Sequence, residues 1–452
     1  MKKQEHEAPE RVLGRGRAFD PKRRLLRRMC LAAAAALLLT GLLSLVLPGV
    51  TNSVRPLAEF GERALFTAFG GRSPRTLDPQ RSYSSDETAY TYSIYEPLYQ
   101  YSYLKRPYEL EPLAAEAVVK PRYYDRSGRA LPPDADPALI AESRYEIRLR
   151  EGIRFAPHPA FARTPDGRPV YENLDETLDP KVAAKLKSPL DLPQKATREL
   201  TARDYAYAIR RMASPLVVSP IYGTMKRHIV GFADYGEKLL ARYRALRQSD
   251  PDASEAALDL WADPLPGVEA VDDRTLRIRV VGKYPQFSYW LAMTFFAPVP
   301  EEAVRFYDSA LLRERNISLD TWPVGTGPFM MTAFQENRLH EMRRNPNFHG
   351  EAYPCSGEPG DEAKGLLADC GKPLPMVDRI VFSVEKEAVP LQTKFLQGYY
   401  DSPFIDRVDT GLGYLVAMAD DPDKAALYGE KALQFPKTVQ AGFWYLGLNR
   451  LG

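Results

Sequence analysis

Polar and apolar positions alternate most cleanly at two places along the chain. Tyr145, Ile147 and Leu149 share one face of residues 145–150, and Leu276, Ile278 and Val280 repeat the pattern after the turn Asp272-Asp273-Arg274. Each predicts a strand with one side buried, because successive side chains of a strand point to opposite faces. Ala64–Phe69 predicts another strand, followed by the turn Gly70-Gly71-Arg72-Ser73-Pro74. Within Trp322–Gly350 the pattern predicts a hairpin: Phe329–Phe334 going out, Gln335–Asn337 turning, Arg338–Arg344 returning, and Asn345-Pro346 stopping it. Just before it, Gly325 and Gly327 predict backbone angles that other residues resist.

The apolar period lengthens to that of a helix at Tyr205, Ala208, Ile209 and Met212. Thr201, with Asp204 three residues on, has the form of a capping box, and Ser214-Pro215 ends the segment. Phe287, Trp290 and Leu291 predict a further helix, after which Pro298 and Pro300 force an extended exit. Strand and helix signals alternating in this way predict an α/β fold.

One segment belongs to neither pattern. Met29–Val50 carries no charge, and its apolar heart is Leu31–Leu47. A helix of that length would extend about 33 Å, enough for a hydrocarbon core of about 30 Å. The first 28 residues hold ten Lys/Arg and four Asp/Glu, and the excess of positive charge places the N-terminus in the cytoplasm and the rest outside. A secretory signal would end in a small-residue cleavage site, whereas this one ends Val46-Leu47-Pro48-Gly49-Val50. We therefore expect an uncleaved transmembrane anchor over 29–50, a basic cytoplasmic tail over 1–28 and a linker over 51–63, with a cleaved export signal as the alternative.

The whole chain has 452 residues, 44% hydrophobic and 27% charged, with a formal net charge of +2. That is the profile of a globular protein of two or three domains. Removing the basic tail leaves the remainder slightly acidic, so no nucleic-acid partner is expected. Cys355 and Cys370 flank a loop carrying Gly and Pro, and outside the cytoplasm such a pair is free to oxidise. A disulfide is the expected state, with free thiols and a metal site as alternatives. The histidines at 6, 158, 228, 340 and 349 form no HExxH motif, and there is no GxSxG, GxGxxG or P-loop. No catalytic residue, metal site or cofactor is expected, although carboxylates are plentiful enough for a hydrolase to stand as an alternative.

Several short motifs recur in a fixed order: Thr76-Leu77-Asp78-Pro79, Ile94–Leu98 (IYEPL), Leu149–Phe155 (LREGIRF), Leu200–Tyr205 (LTARDY), Gly267–Leu276 (GVEAVDDRTL), and the Trp322–Gly350 hairpin. In that order the chain, from about Leu65 onward, resembles the extracytoplasmic solute-binding proteins of ABC importers, the oligopeptide and dipeptide-binding family (solute-binding protein family 5). Ala156–Arg198 and Pro121–Pro137 depart from the family pattern and are expected as surface embellishments.

The resemblance implies an α/β bilobal clamp, type II and cluster C-like, with an extra small lobe. Residues 64–82 would supply the first strand of lobe I, 83–196 an inserted small lobe, 197–403 lobe I, and 404–452 the start of a lobe III mostly missing from a C-terminally truncated sequence. Lys394–Asp401 (KFLQGYYD) matches the approach to the hinge and Phe443–Asn449 (FWYLGLN) the start of the second major lobe.

It implies a monomeric substrate-binding component on the periplasmic or extracytoplasmic face of the membrane. The component would capture peptides or similar extended solutes and hand them to ABC permease subunits. A membrane-tethered sensor or scaffold using the same clamp is the other reading. The implied ligand-binding residues are Tyr83, Ser84 and Ser85 along the cleft, Tyr222 near another cleft position, Asp401, Ser402 and Phe404 near the hinge, and Trp444 and Tyr445 opening the second lobe. Tyrosines at 83, 90, 92, 95, 99, 101, 103 and 108 make a dense run of amphipathic rings, of which one or two are expected to face ligand.

Overall fold

The computed structural model describes residues 29–38, residues 63–403 apart from 107 and 173, and residue 421. The chain falls into two units, Met1–Val54 and Arg55–Gly452. In the first, residues 29–38 are helical and exposed. Among the described residues no helix is long and apolar enough to cross a membrane. The rest of the expected span, 39–50, lies outside the described residues.

In the second unit, the described residues form two five-stranded sheets. One runs in the order Ser402–Pro403, Ala64–Gly70, Arg379–Glu385, Leu339–Arg344, Phe329–Gln335. Its first three strands are parallel, and the hairpin adds the last two antiparallel. Phe69 anchors its buried face, meeting Tyr90, His340 and Phe382 edge-on.

The second sheet, in the order Ala130–Leu131, Arg122–Tyr124, Glu142–Arg148, Thr275–Val281, Val268–Ala270, is antiparallel throughout. Its register sets Tyr145 opposite Ile278 and Ile147 opposite Leu276. Directly opposed residues share a face, so the two alternating patterns read from sequence become one buried apolar surface. The other face carries Glu142–Arg279, Glu146–Arg277 and Glu269–Arg277 ion pairs at 2.5, 2.8 and 2.8 Å. Because the sheet draws strands from both 83–196 and 197–403, these ranges share a sheet and one apolar core.

The Ala202–Arg211 helix starts as read, with the Thr201 N–H donating to Asp204 Oδ2 at 2.9 Å. The helix expected at Phe287 is a single turn, Phe287–Trp290. An 18-residue helix, Phe232–Ser249, had no counterpart in the sequence reading. The Ala156–Arg198 stretch is built into the core as well as the surface: Phe161, Leu174, Leu186 and Leu192 are buried, and His158 Nε2 lies 2.9 Å from Tyr307 Oη. Its apolar residues sit between exposed turns at irregular spacing, so no period reveals them. Pro121–Pro137, by contrast, contributes the edge strand Ala130–Leu131 and its neighbour Arg122–Tyr124, whose side chains are exposed or half-buried.

The hairpin of residues 329–344 forms within a residue of its expected bounds. The two glycines before it have a different cause from the one expected, since neither adopts left-handed backbone. A Cβ on Gly325 would stand 2.0 Å from the Ile94 carbonyl oxygen, and one on Gly327 2.8 Å from it. The Gly327 N–H donates to that same oxygen at 2.9 Å. Close approach of a distant helix end, rather than unusual φ, is what requires glycine here.

Candidate functional site

The loop that leaves the Ala64–Gly70 strand is fastened at both ends. At its start Ser73 Oγ lies 2.8 Å from His340 Nε2, and the Asn337 N–H donates to Ser73 Oγ at 2.6 Å. His340 Nδ1 lies 2.8 Å from Tyr90 Oη, so the ring bridges two hydroxyls. Burial pushes its pKa down to about 4, and a neutral imidazole can accept from one hydroxyl and donate to the other. Further on, Asp78 accepts both amino groups of Arg211 at 3.0 and 2.8 Å, deep in the core. Gln80 is pinned by Arg211 at 2.7 Å and donates to the carbonyls of Phe295 and Ala297.

Glu87 organises the middle of this loop. Its carboxylate, 2% exposed, accepts the backbone N–H groups of Arg75, Thr76 and Ser84 and the hydroxyl of Ser82. Residues 75–84 are thereby wrapped around one buried anion, with Arg75, Arg81, Tyr83 and Ser84 exposed and Thr76–Gln80 and Ser82 buried. Arg81 donates to both oxygens of Asp320 at 2.9 and 2.7 Å.

Outside this ring lies a cleft of about 440 Å³. It is lined by Arg72, Arg75, Thr76, Arg81, Tyr83, Ser84 and Glu87, and by the uncharged Val217, Val218 and Pro220. Tyr83 is 76% exposed, and so is Val218, whose φ of 54° is an outlier for a β-branched residue. A larger cavity of about 560 Å³ involves Arg163, Arg198, Asp204, Glu301, Glu302 and Arg305. Within it Arg198 pairs with Asp204 and Glu302, and Arg305 with Glu301.

The cleft thus brings together Tyr83 and Ser84, with Ser85 exposed beside them. Tyr222 lies apart from these lining residues: its ring meets Phe232 edge-on at 5.4 Å, and its hydroxyl occupies the space a side chain at Gly236 would need. Asp401 and Ser402 serve the sheet. Asp401 Oδ2 accepts the Phe66 N–H at 2.8 Å, and the Ser402 carbonyl accepts the Thr67 hydroxyl at 2.7 Å. Phe404, Trp444 and Tyr445 lie outside the described residues. The tyrosine run divides, with Tyr90, Tyr95 and Tyr99 buried and Tyr83, Tyr92, Tyr101, Tyr103 and Tyr108 exposed.

Sequence reasoning passed over Arg72, Arg75, Arg81 and Val218. The spacing of three arginines through a turn was visible, but which of them is neutralised depends on carboxylates far along the chain. Among the described residues no three His, Cys, Asp or Glu side chains gather as a metal-binding group.

Among solved structures the chain is similar to OppA of Burkholderia pseudomallei, at 15% identity over 79% of this chain and 48% of that one, TM-score 0.44. It is likewise similar to a periplasmic oligopeptide-binding protein, OppAIV, of Borrelia burgdorferi, at 16% identity over 79% and 50%, TM-score 0.46. The murein tripeptide binding protein MppA of Escherichia coli matches at 15% identity over 80% and 49%, TM-score 0.45. The chain spans about half the length of these structures. No curated protein matches it. The family described as "Bacterial extracellular solute-binding proteins, family 5 Middle" matches residues 196–450, more than half of the sequence. The chain belongs to the bacterial extracellular solute-binding proteins of family 5.

Proposed function

We propose that this protein is the substrate-binding component of an ABC importer, capturing a peptide or similarly extended solute outside the cytoplasmic membrane and delivering it to permease subunits. Membership of the solute-binding family carries the reading. The exposed Tyr83-Ser84-Ser85 segment beside an open cleft supports it, because an extended peptide can be read through its main chain with little side-chain discrimination. Residues 64–82 and 197–403 act as one jaw with 83–196 built onto it, and 404–452 begin the opposing jaw. Ligand touching both jaws favours the closed form that a permease recognises. Met29–Val50 holds the protein at the membrane with its N-terminus inside.

Calorimetry on the intact protein with di- to pentapeptides, oligosaccharides and metal chelates tests the substrate class. Peptide binding that weakens in Tyr83→Ala is expected, whereas Tyr222→Ala should lower stability and leave affinity alone. Binding of a sugar or chelate with no response to any peptide would overturn the peptide assignment. Sequencing the N-terminus of membrane-fraction protein tests the anchor, which a mature terminus near residue 50 would exclude.

A further inference from the structure

The cleft beside Tyr83 has an unbalanced charge. Of its three arginines, Arg81 donates from Nη1 to both Asp320 oxygens. The guanidinium groups of Arg72 and Arg75 have no carboxylate partner among the described residues, and both residues are exposed. Elsewhere in this region cations are neutralised: Arg211 by Asp78 and Glu255, Arg198 by Asp204 and Glu302. The acids closest to the cleft cannot answer Arg72 and Arg75. Glu87 spends its oxygens on Arg75 N–H, Thr76 N–H, Ser82 Oγ and Ser84 N–H, and Asp320 is engaged by Arg81 and Thr76. The rest of the lining, Thr76, Tyr83, Ser84, Val217, Val218 and Pro220, supplies no charge.

From this we infer that Arg72 and Arg75 form a carboxylate-recognition subsite, so that the solute held here carries an acidic group next to the part that lies along Tyr83. A guanidinium presents a planar fork that matches a carboxylate bidentately. Two such forks in a concave, partly apolar cleft focus the field that draws an anion in. The mounting is rigid. Pro74 and the Ser73–His340 contact hold the Arg72 side, and the buried Glu87 holds the Arg75 backbone, so little ordering remains to be done when ligand binds. The Tyr83 ring and the Ser84 hydroxyl stand beside the arginines to accept the neutral remainder of the ligand.

The inference deepens the solute-binding reading and rests on it. Its test uses calorimetry on the intact protein with matched probes: a glutamate-containing tripeptide and its glutamine counterpart, each with free and with amidated C-terminus, plus tricarballylate as a non-peptide carboxylate. The acidic member of each pair should bind at least about tenfold more tightly, as a charge-assisted hydrogen-bonded pair implies. Added salt should narrow the gap. Which pair shows the larger gap separates a side-chain carboxylate from a C-terminal one. Arg72→Gln with Arg75→Gln should abolish the preference while changing the amidated glutamine peptide less than about twofold, and Arg72→Glu with Arg75→Glu should reverse it. Both residues are exposed, so the thermal midpoint should stay put.

Acid and amide probes that bind equally, or a preference that survives both substitutions, would overturn the subsite. So would failure of every acidic probe to bind. Tricarballylate binding that depends on the two arginines, with no peptide response, would uphold the subsite and remove the peptide assignment instead.

Discussion

His349 Nε2 stands 2.7 Å from Glu96 Oε1, a carboxylate buried in the core. The other oxygen of Glu96 has no hydrogen-bond partner among the described residues, and its backbone carbonyl accepts the Tyr205 hydroxyl at 2.9 Å. The hydrogen bond to Glu96, reinforced by that residue's charge, raises the His349 pKa against the opposing effect of burial.

A histidine pKa raised by folding contributes stability that is complete below the unfolded value and is lost as pH rises through the folded one. The stability difference between the native protein and His349→Gln should therefore be larger at pH 6 than at pH 8.5. A charge-assisted hydrogen bond of this kind is worth about 1 to 3 kcal/mol. Urea denaturation of both proteins at the two pH values measures it, and a difference that does not change with pH would refute the linkage.

His158 carries the opposite sign. Its Nε2 lies 2.9 Å from Tyr307 Oη, its Nδ1 accepts the Ala160 N–H at 3.1 Å, and burial pushes its pKa down to about 3. The unfolded chain takes up this proton near the ordinary histidine value of about 6.5, and the folded chain does not. Stability is thus present above that value and is lost as pH falls toward about 3, with a slope of at most about 1.4 kcal/mol per pH unit from this group. His340, depressed to about 4, adds in the same direction. Denaturation midpoints from pH 7 to pH 4 should show a shallower acid limb in His158→Gln than in the native protein.

Gly325 admits no side chain, because a Cβ would meet the Ile94 carbonyl oxygen at 2.0 Å and backbone there cannot swing aside. Gly325→Ala should cost about 1 to 3 kcal/mol or more through forced displacement of the strand and helix end. Gly70→Ala is the control, since nothing lies within 4 Å of its Cβ position, and it should stay within about 1 kcal/mol of the native protein. Equal losses in the two variants would show that the Ile94 approach is not the constraint.

Cys355 and Cys370 are joined across a sequence separation of 15. Their loop begins near the Glu351–Ala352 and Pro373–Leu374 strand pair, which already brings its ends together. Alkylation without reductant should leave both sulfurs unlabelled. Replacing both by Ser should lower stability by about 3 kcal/mol on the chain-entropy account, or less to the extent that the strand pair closes the loop unaided.

What could be read along the chain was whatever depends on neighbours. The alternation at Tyr145, Ile147 and Leu149, the Thr201–Asp204 cap and the hairpin turn at Gln335–Asn337 each involve residues within a few positions of one another, and each was legible. The Tyr83-Ser84 segment was placed by family resemblance, and the cleft lies beside it.

Tertiary structure decided what depends on partners far apart in sequence. Gly325 is glycine because of Ile94, and Tyr222 is drawn onto the unforeseen Phe232–Ser249 helix at Gly236. Asp401 is spent on the Phe66 N–H. Among the described residues Arg72 and Arg75 are left without carboxylates while Arg81, six positions on from Arg75, is neutralised by Asp320. A side chain's charge and shape are properties of its residue, but whether they are satisfied or left for a ligand is settled only when distant segments are packed against it.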